Sequence, residues 1–523
     1  MKRLCLLILL IIFVCTKVDA KEANLNQKTL RTCIYSDPTS LDTRKASDYI
    51  SSQILFMLFR GLMHYDSNGD LICSLAKSYT VSKDQKKYTF YLKDVYWSDG
   101  KAITAYDFEK SWKKILDPKF PSPYAELLYP IKNAEMAKKG LLDLKEVKIK
   151  AKDKKTLIVE LEYPNPYFLF LTSFYTFFPM PSHQSEKDML NDNIITSGPF
   201  KLKRWQRNNR LVLEKNPFFY NKDKINIDSF EINIIANEET AFQMYENGEV
   251  DFISSFLSPL SAETLGKISK REDANIVPIG GFSFLSFNVE KFPFNNRNLR
   301  YAFSLAIDRQ KIVDNITQLK EKIAKRIIPP IFLKDENKVL IENNKLDLAK
   351  KLFDKALTEL NVLKDDLKIS FTFGSYIIHK KEAEALKQMW EKAFNISIKL
   401  NLLEDKTLLS KLHQRDYQIG LARLMVRYND PLNIFERFKY KNHPKNYANW
   451  ENIEFIKTLD LAKKEFDLKK RFDLILKAEK ILVKDLAIAP LYFYNYTMLK
   501  KSYVKGIYSN IVGDLLFDET NVN

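Results

Sequence analysis

From about Leu30 onward, short runs of alternating residues keep giving way to stripes of helical period, and that succession leaves only an α/β or α+β architecture open. The clearest instance runs from Lys87 to Ile115. Tyr88, Phe90 and Leu92 fall on one face of a strand, with Thr89, Tyr91 and Lys93 on the other. Asp99-Gly100 is turn chemistry, because glycine accepts positive φ without steric cost. Thr104 and Asp107 have capping-box spacing, and Phe108, Trp112 and Ile115 then recur at helical intervals. Strand, turn and capped helix therefore follow one another in under thirty residues.

The same signals recur further on. Thr156–Glu162 alternates and stops at Pro164, and Pro199–Leu202 with Arg210–Glu214 reads as a strand pair around a polar turn. Helical stripes are Leu299, Ala302, Phe303, Ala306 and Ile307; Leu386, Met389, Trp390 and Phe394; and Leu468, Phe472, Ile475, Leu476 and Leu482. Breaks are expected at Phe177–Pro181, at Pro278–Gly281 and at Pro329-Pro330. At 523 residues, the chain is too long for one core and long enough for two or three.

The N-terminus reads as an export leader over residues 1–20. Lys2-Arg3 precedes an apolar run from Leu4 to Val14, too short for a bilayer span, and Val18-Asp19-Ala20 offers a small-residue cleavage site. Cys15 gives an alternative, lipid attachment, although Ile12-Phe13-Val14 lacks the small residue such sites place before the cysteine. The mature chain is expected in the periplasm or cell envelope. Beyond the leader only Cys33 and Cys73 remain, enough for one bridge that an oxidising compartment would permit.

The net charge of +17 is spread as singles, pairs and triplets, which reads as a lysine-rich surface rather than a nucleic-acid arm. Five histidines show no metal-ligand pairing. With 13 glycines, the chain has no Walker loop, no G-x-G-x-x-G and no G-x-S-x-G. Neither an enzyme nor a cofactor is implied.

Trp97–Phe108, W-S-D-G-K-A-I-T-A-Y-D-F, resembles the W-S-D-G signature of the oligopeptide-binding proteins of ABC importers. Further motifs of that family follow in order. Asp37–Asp42 resembles its first strand, and Leu58–Leu62 its L-F/Y-E-G-L helix end with Arg60 in place of the acid. Ser122–Ala125, Glu214–Pro217, Tyr245–Asp251, Phe294–Arg300 and Ala306–Arg309 complete the series.

The resemblance implies an α/β, two-lobed periplasmic-binding-protein clamshell with an extra small domain and a ligand cleft between the lobes. Residues 21–62, 184–282 and 488–523 would form the first lobe, 63–183 the extra domain and 283–487 the second lobe. Such a protein would capture an oligopeptide, or another small ligand, and present it as a monomer to permease subunits in the inner membrane. Its ligand-binding residues would be Asp37, Tyr124, Ser283, Phe284, Arg423, Met425, Arg427 and Tyr494.

One departure stands out. Where the family reads D-Y-N-E-P and uses the first acid to hold the peptide's amino group, this chain has Arg427-Tyr-Asn-Asp-Pro431. Three readings follow. Another acid, Asp37 or Asp430, holds the amine; Arg423 and Arg427 form a site for an anionic or amine-blocked ligand; or Arg427 is structural. A fourth possibility is a lysine-rich surface binder that no longer transports.

Overall fold

The structure is a computed structural model, and it describes residues 28–185 and 193–522 apart from 256, 259, 261, 334, 336 and 337. The expected leader and Cys15 lie outside the described residues. Among the described residues, no helix is long and apolar enough to cross a membrane.

One ten-stranded sheet organises the chain. Its strands are Thr29–Ile34 (β1), Phe200–Gln206 (β2), Arg210–Lys215 (β3), Ser229–Ile234 (β4), Phe252–Ser254 (β5), Ala274–Phe287 (β6), Ile369–Gly374 (β7), Ile398–Leu403 (β8), Ile419–Met425 (β9) and Ile488–Lys500 (β10). The spatial order is β8-β7-β9-β6-β10-β5-β1-β4-β3-β2. The parallel pairs are β1 with β4 and β5, and β7 with β8 and β9.

The centre of the sheet belongs to β6 and β10, which are 14 and 13 residues long and antiparallel. The first part of β6 pairs only with β10, Ala274 facing Leu499, while the end of β10 also pairs with β5. The second part of β6 is flanked by β9 as well, Phe284 facing Ala422. Both strands thus pass from one half of the molecule to the other. The break expected at Pro278–Gly281 is instead a register shift inside β6, between Pro278 and Phe282. Proline has no N–H to give the ladder, so a strand can carry it only where pairing is interrupted.

A second, four-stranded antiparallel sheet is built from residues 76–81, 87–92, 156–160 and 149–151, in that order. Tyr88, Phe90 and Leu92 are buried in it, as their alternation requires. Helix Tyr49–Leu58 (α1) precedes this sheet and helix Ala105–Leu116 (α2) packs on it. At the start of α2, the Thr104 N–H and hydroxyl both donate to Asp107, at 2.8 and 2.9 Å. Phe108, Trp112 and Ile115 are wholly buried, and the Trp112 indole donates to Phe177 O at 2.8 Å. The W-S-D-G turn is tied to the segment leading into β2: Ser98 N donates to Thr196 O, and Thr196 N to Ser98 Oγ.

The second half has its own core around Phe303, Trp390 and Phe394, contributed by helices Arg297–Leu305 (α3) and Ile377–Phe394 (α4). Helix Leu468–Asp485 (α5) departs from its apolar stripe. Leu468 is exposed, and the buried face carries Arg471, Ile475, Ala478, Glu479 and Leu482. Two charges are tolerated there because each meets an opposite charge. Arg471 pairs with Asp430 at 2.6 Å and Glu479 with Arg326 at 2.5 Å.

One further expectation changes, and the permitted bridge does not form. Asp37–Asp42 is not a strand: β1 ends at Ile34, and these residues bend instead, with Asp42 N donating to Ser40 Oγ and Asp42 held by Arg44 at 2.8 Å. Cys33 is buried against Met244 and Cys73 lies in a hairpin at residues 63–73; both are free thiols.

Candidate functional site

Where β9, β6 and β10 lie side by side, alternation sends their side chains to two faces. Phe282, Phe284, Ala422, Leu424 and Phe493 go into one core. The opposite face carries Gly281 beside Met425, and Ser283 between Arg423 and Tyr492, with Tyr494 next along β10. Sequence reasoning therefore selected one face with Ser283, Arg423, Met425 and Tyr494. Phe284 belongs to the other face, 1% exposed.

Gly281 is needed here for close approach. A Cβ on it would meet Met425 Sδ at 2.3 Å, Leu424 O at 2.9 Å and the Tyr494 ring at 3.0 Å. The glycine lets the strands and their side chains close up at the point where the chain passes between halves.

Around Arg423 the sheet is covered by α4 and by the 317–321 segment. Tyr492 donates to Glu382, which is fully buried and keeps Oε2 without a partner. Burial pushes the Glu382 carboxyl up to about 7, against the Tyr492 hydrogen bond. Glu321, which accepts from Thr317 Oγ1 and Leu319 N, is likewise pushed up to about 7 by burial. Burial and the Arg423 charge drive His379 down to about 3, so its ring is neutral. Arg423 itself is exposed and makes no ion pair among the described residues. Sequence reasoning missed Glu382, Glu321, His379 and Tyr492. Only Tyr492 left a signal, as the residue two before Tyr494 on an alternating strand.

Four residues after Arg423, just past the end of β9, comes Arg427. Its N–H donates to Asn433 Oδ1 at 2.9 Å, and its guanidinium lies over the Tyr124 ring, 4.0 Å from the centroid. Tyr124 is fixed from the other half, donating to Ser47 O at 3.0 Å. The neighbouring Tyr428 stacks on Tyr167 at 5.1 Å, and both hydroxyls donate to Glu436. These contacts close the small sheet's domain against the second half, beside a cavity of about 570 Å³ lined by Tyr163, Tyr167, Tyr428, Glu436 and His443.

The two acids considered as amine anchors are already engaged. Asp37 accepts from the Trp205 indole and from Asn208 N, both at 2.6 Å. Asp430 is buried against Arg471 and also accepts from Leu432 N. Among the described residues, no cluster of three or more His, Cys, Asp or Glu has the arrangement of a metal site.

Comparison with known proteins agrees with this geometry. Residues 70–446 match the family model of bacterial extracellular solute-binding proteins, family 5. The oligopeptide-binding protein OppA of Bacillus subtilis is 35% identical over 509 residues, covering 95% of this chain and 93% of the relative. Among solved structures, the periplasmic oligopeptide-binding protein OppAIV of Borrelia burgdorferi superposes with a TM-score of 0.82 at 30% identity, over 95% of this chain and all of that one. Listeria monocytogenes OppA bound to peptide gives 0.80 at 27%, over 95% and 99%. These relatives do not favour the surface-binder reading or the reading of an anionic or amine-blocked ligand. The two halves are the lobes of a solute-binding clamshell, and the chain belongs to the bacterial extracellular solute-binding proteins, family 5.

Proposed function

We propose that this protein is the extracytoplasmic receptor of an ABC peptide importer, enclosing an oligopeptide between its lobes and handing it to permease subunits in the inner membrane. The observation that carries the reading is the face built across β9, β6 and β10. There Arg423, Ser283, Met425 and Tyr494 present polar and aromatic groups at the passage between lobes, and Arg423 makes no ion pair among the described residues. An extended peptide lies along such a strand much as an added strand would, with side chains in roomy pockets. No bond is made or broken in this role. What matters is that ligand favours the closed arrangement, in which Tyr124 and Arg427 meet.

Residues 21–62, 184–282 and 488–523 act as the first lobe in this proposal, 63–183 as the extra domain and 283–487 as the second lobe. The protein is exported by its leader, with Cys15 as the alternative anchor, and works as a monomer. Isothermal titration of protein freed of ligand by unfolding and refolding, against mixed pools of short peptides, tests the reading. Saturable binding is expected; no binding to any pool overturns it.

A further inference from the structure

The second lobe gathers positive charge around Tyr124 without gathering the acids to match. Besides Arg427, Lys445 Nζ lies 5.4 Å from the same ring, and Arg437 reaches back to Met425 O at 3.4 Å. All three are partly buried. Among the described residues, two carboxylates adjoin this group. Glu126 is exposed and stands 3.8 Å from Lys445. Glu436 is already committed to Lys463 at 2.8 Å and to two tyrosine hydroxyls. Arg427 has no carboxylate or carbonyl partner for its guanidinium among the described residues. The charges feel one another: burial together with Arg427 pushes Lys445 down to about 8 and Arg437 down to about 10. A half-buried guanidinium stacked on a ring, with two more cations beside it and its edge unengaged, is arranged for bidentate capture of a carboxylate.

We infer that Arg427, supported by Arg437 and Lys445, receives a carboxylate carried by the bound peptide, so that this receptor prefers peptides with an acidic group at that end of the cleft. The inference rests on the peptide-receptor reading and deepens it. The carboxylate comes either from an acidic side chain or from the chain terminus; the chemistry of capture is the same. Because Tyr124 is fixed from the first lobe and Arg427 comes from the second, the site is complete only in the closed form, and an acidic peptide would stabilise closure.

The test is titration of the refolded, ligand-free protein with glutamate-containing tripeptides. One arm replaces glutamate by glutamine at each position, and the other amidates the C-terminus. Each arm is repeated with Arg427→Gln and with Lys445→Met, whose folding is checked by circular dichroism. At least one neutralisation is expected to weaken binding about 10- to 100-fold in the native protein, the range of one charge-assisted pair, and only about 3-fold or less in Arg427→Gln. The arm that responds identifies the source of the carboxylate. Should Arg427→Gln fail to fold, Lys445→Met serves for the same comparison with a smaller loss of discrimination. Peptide binding indifferent to both neutralisations, or equally sensitive in the variants, overturns the inference while leaving the receptor reading intact. Failure of every peptide to bind overturns both.

Discussion

Arg326 and Arg427 lie in the same lobe and have opposite surroundings. Arg326 is 4% exposed, and its guanidinium closes on Glu479, which also accepts the N–H groups of Ile327 and Ile328 at 2.9 Å. Arg427 is half-buried and has a ring beneath it, two cations beside it and no oxygen on its guanidinium among the described residues. The other deeply buried arginines follow Arg326. Arg471 has Asp430, Arg60 has Asp518, and Arg309 has Pro490 O and Ser304. Taking a guanidinium out of water is costly unless oxygens replace the water. Scaffold arginines therefore carry their partners with them, and the carboxylate inference turns on one whose guanidinium has no such partner among the described residues.

The largest consequence is expected at the paired end. Arg326→Met leaves a fully buried Glu479 with only backbone donors, and should cost about 3–5 kcal/mol of stability. Chemical unfolding measures this, and a loss below about 1 kcal/mol would mean the pair is not what holds that helix.

An intermediate effect belongs to the acid under Arg423. The Glu382 carboxyl titrates near 7 in the folded protein, above its ordinary value, so the folded state binds a proton more tightly than the unfolded chain does. Its contribution is full below the ordinary carboxyl pKa and is lost as pH rises through about 7. Glu382→Gln mimics the protonated acid and should gain roughly 1–3 kcal/mol relative to the native protein between pH 5 and pH 8. A stability difference that stays constant across that range would show that Glu382 is ionised throughout.

The smallest effect is expected at Arg427. Since no protein carboxylate depends on it, Arg427→Gln should change unfolding stability by less than about 1 kcal/mol, and relief from Arg437 and Lys445 favours a small gain. A loss comparable to that of Arg326→Met would place Arg427 among the scaffold arginines and remove the contrast.

Much of the architecture could be read locally. The 88–92 strand, the Thr104–Asp107 cap and the Phe108, Trp112 and Ile115 stripe formed as written, because each depends on neighbours within a few residues. The turn expected at Pro278–Gly281 did not form, because whether a proline–glycine stretch ends a strand or bulges within it depends on the strands alongside. Helix α5 is the sharper case. Of its apolar stripe Leu468, Phe472, Ile475, Leu476 and Leu482, Ile475 and Leu482 are buried, but the buried face also includes Arg471 and Glu479, whose partners come from positions 430 and 326.

Resemblance singled out Ser283, Arg423, Met425 and Tyr494, and register alone gives them one shared face across β9, β6 and β10. Glu382 and His379 arrive there on α4 and Glu321 on the 317–321 segment, and none carries a local signature.

The sequence by itself determined the periodicities, the caps and the family, since these are properties of short segments and of their order. Resemblance to the family's D-Y-N-E-P stretch also singled out Arg427 as a departure. Only the tertiary structure decided which charges are cancelled: Asp430 went to Arg471 and Asp37 to Trp205 and Asn208, while Arg427 met Tyr124 and two more cations. The reason is physical. Charge compensation depends on distances between groups that folding brings together, and no local pattern of residues encodes those distances.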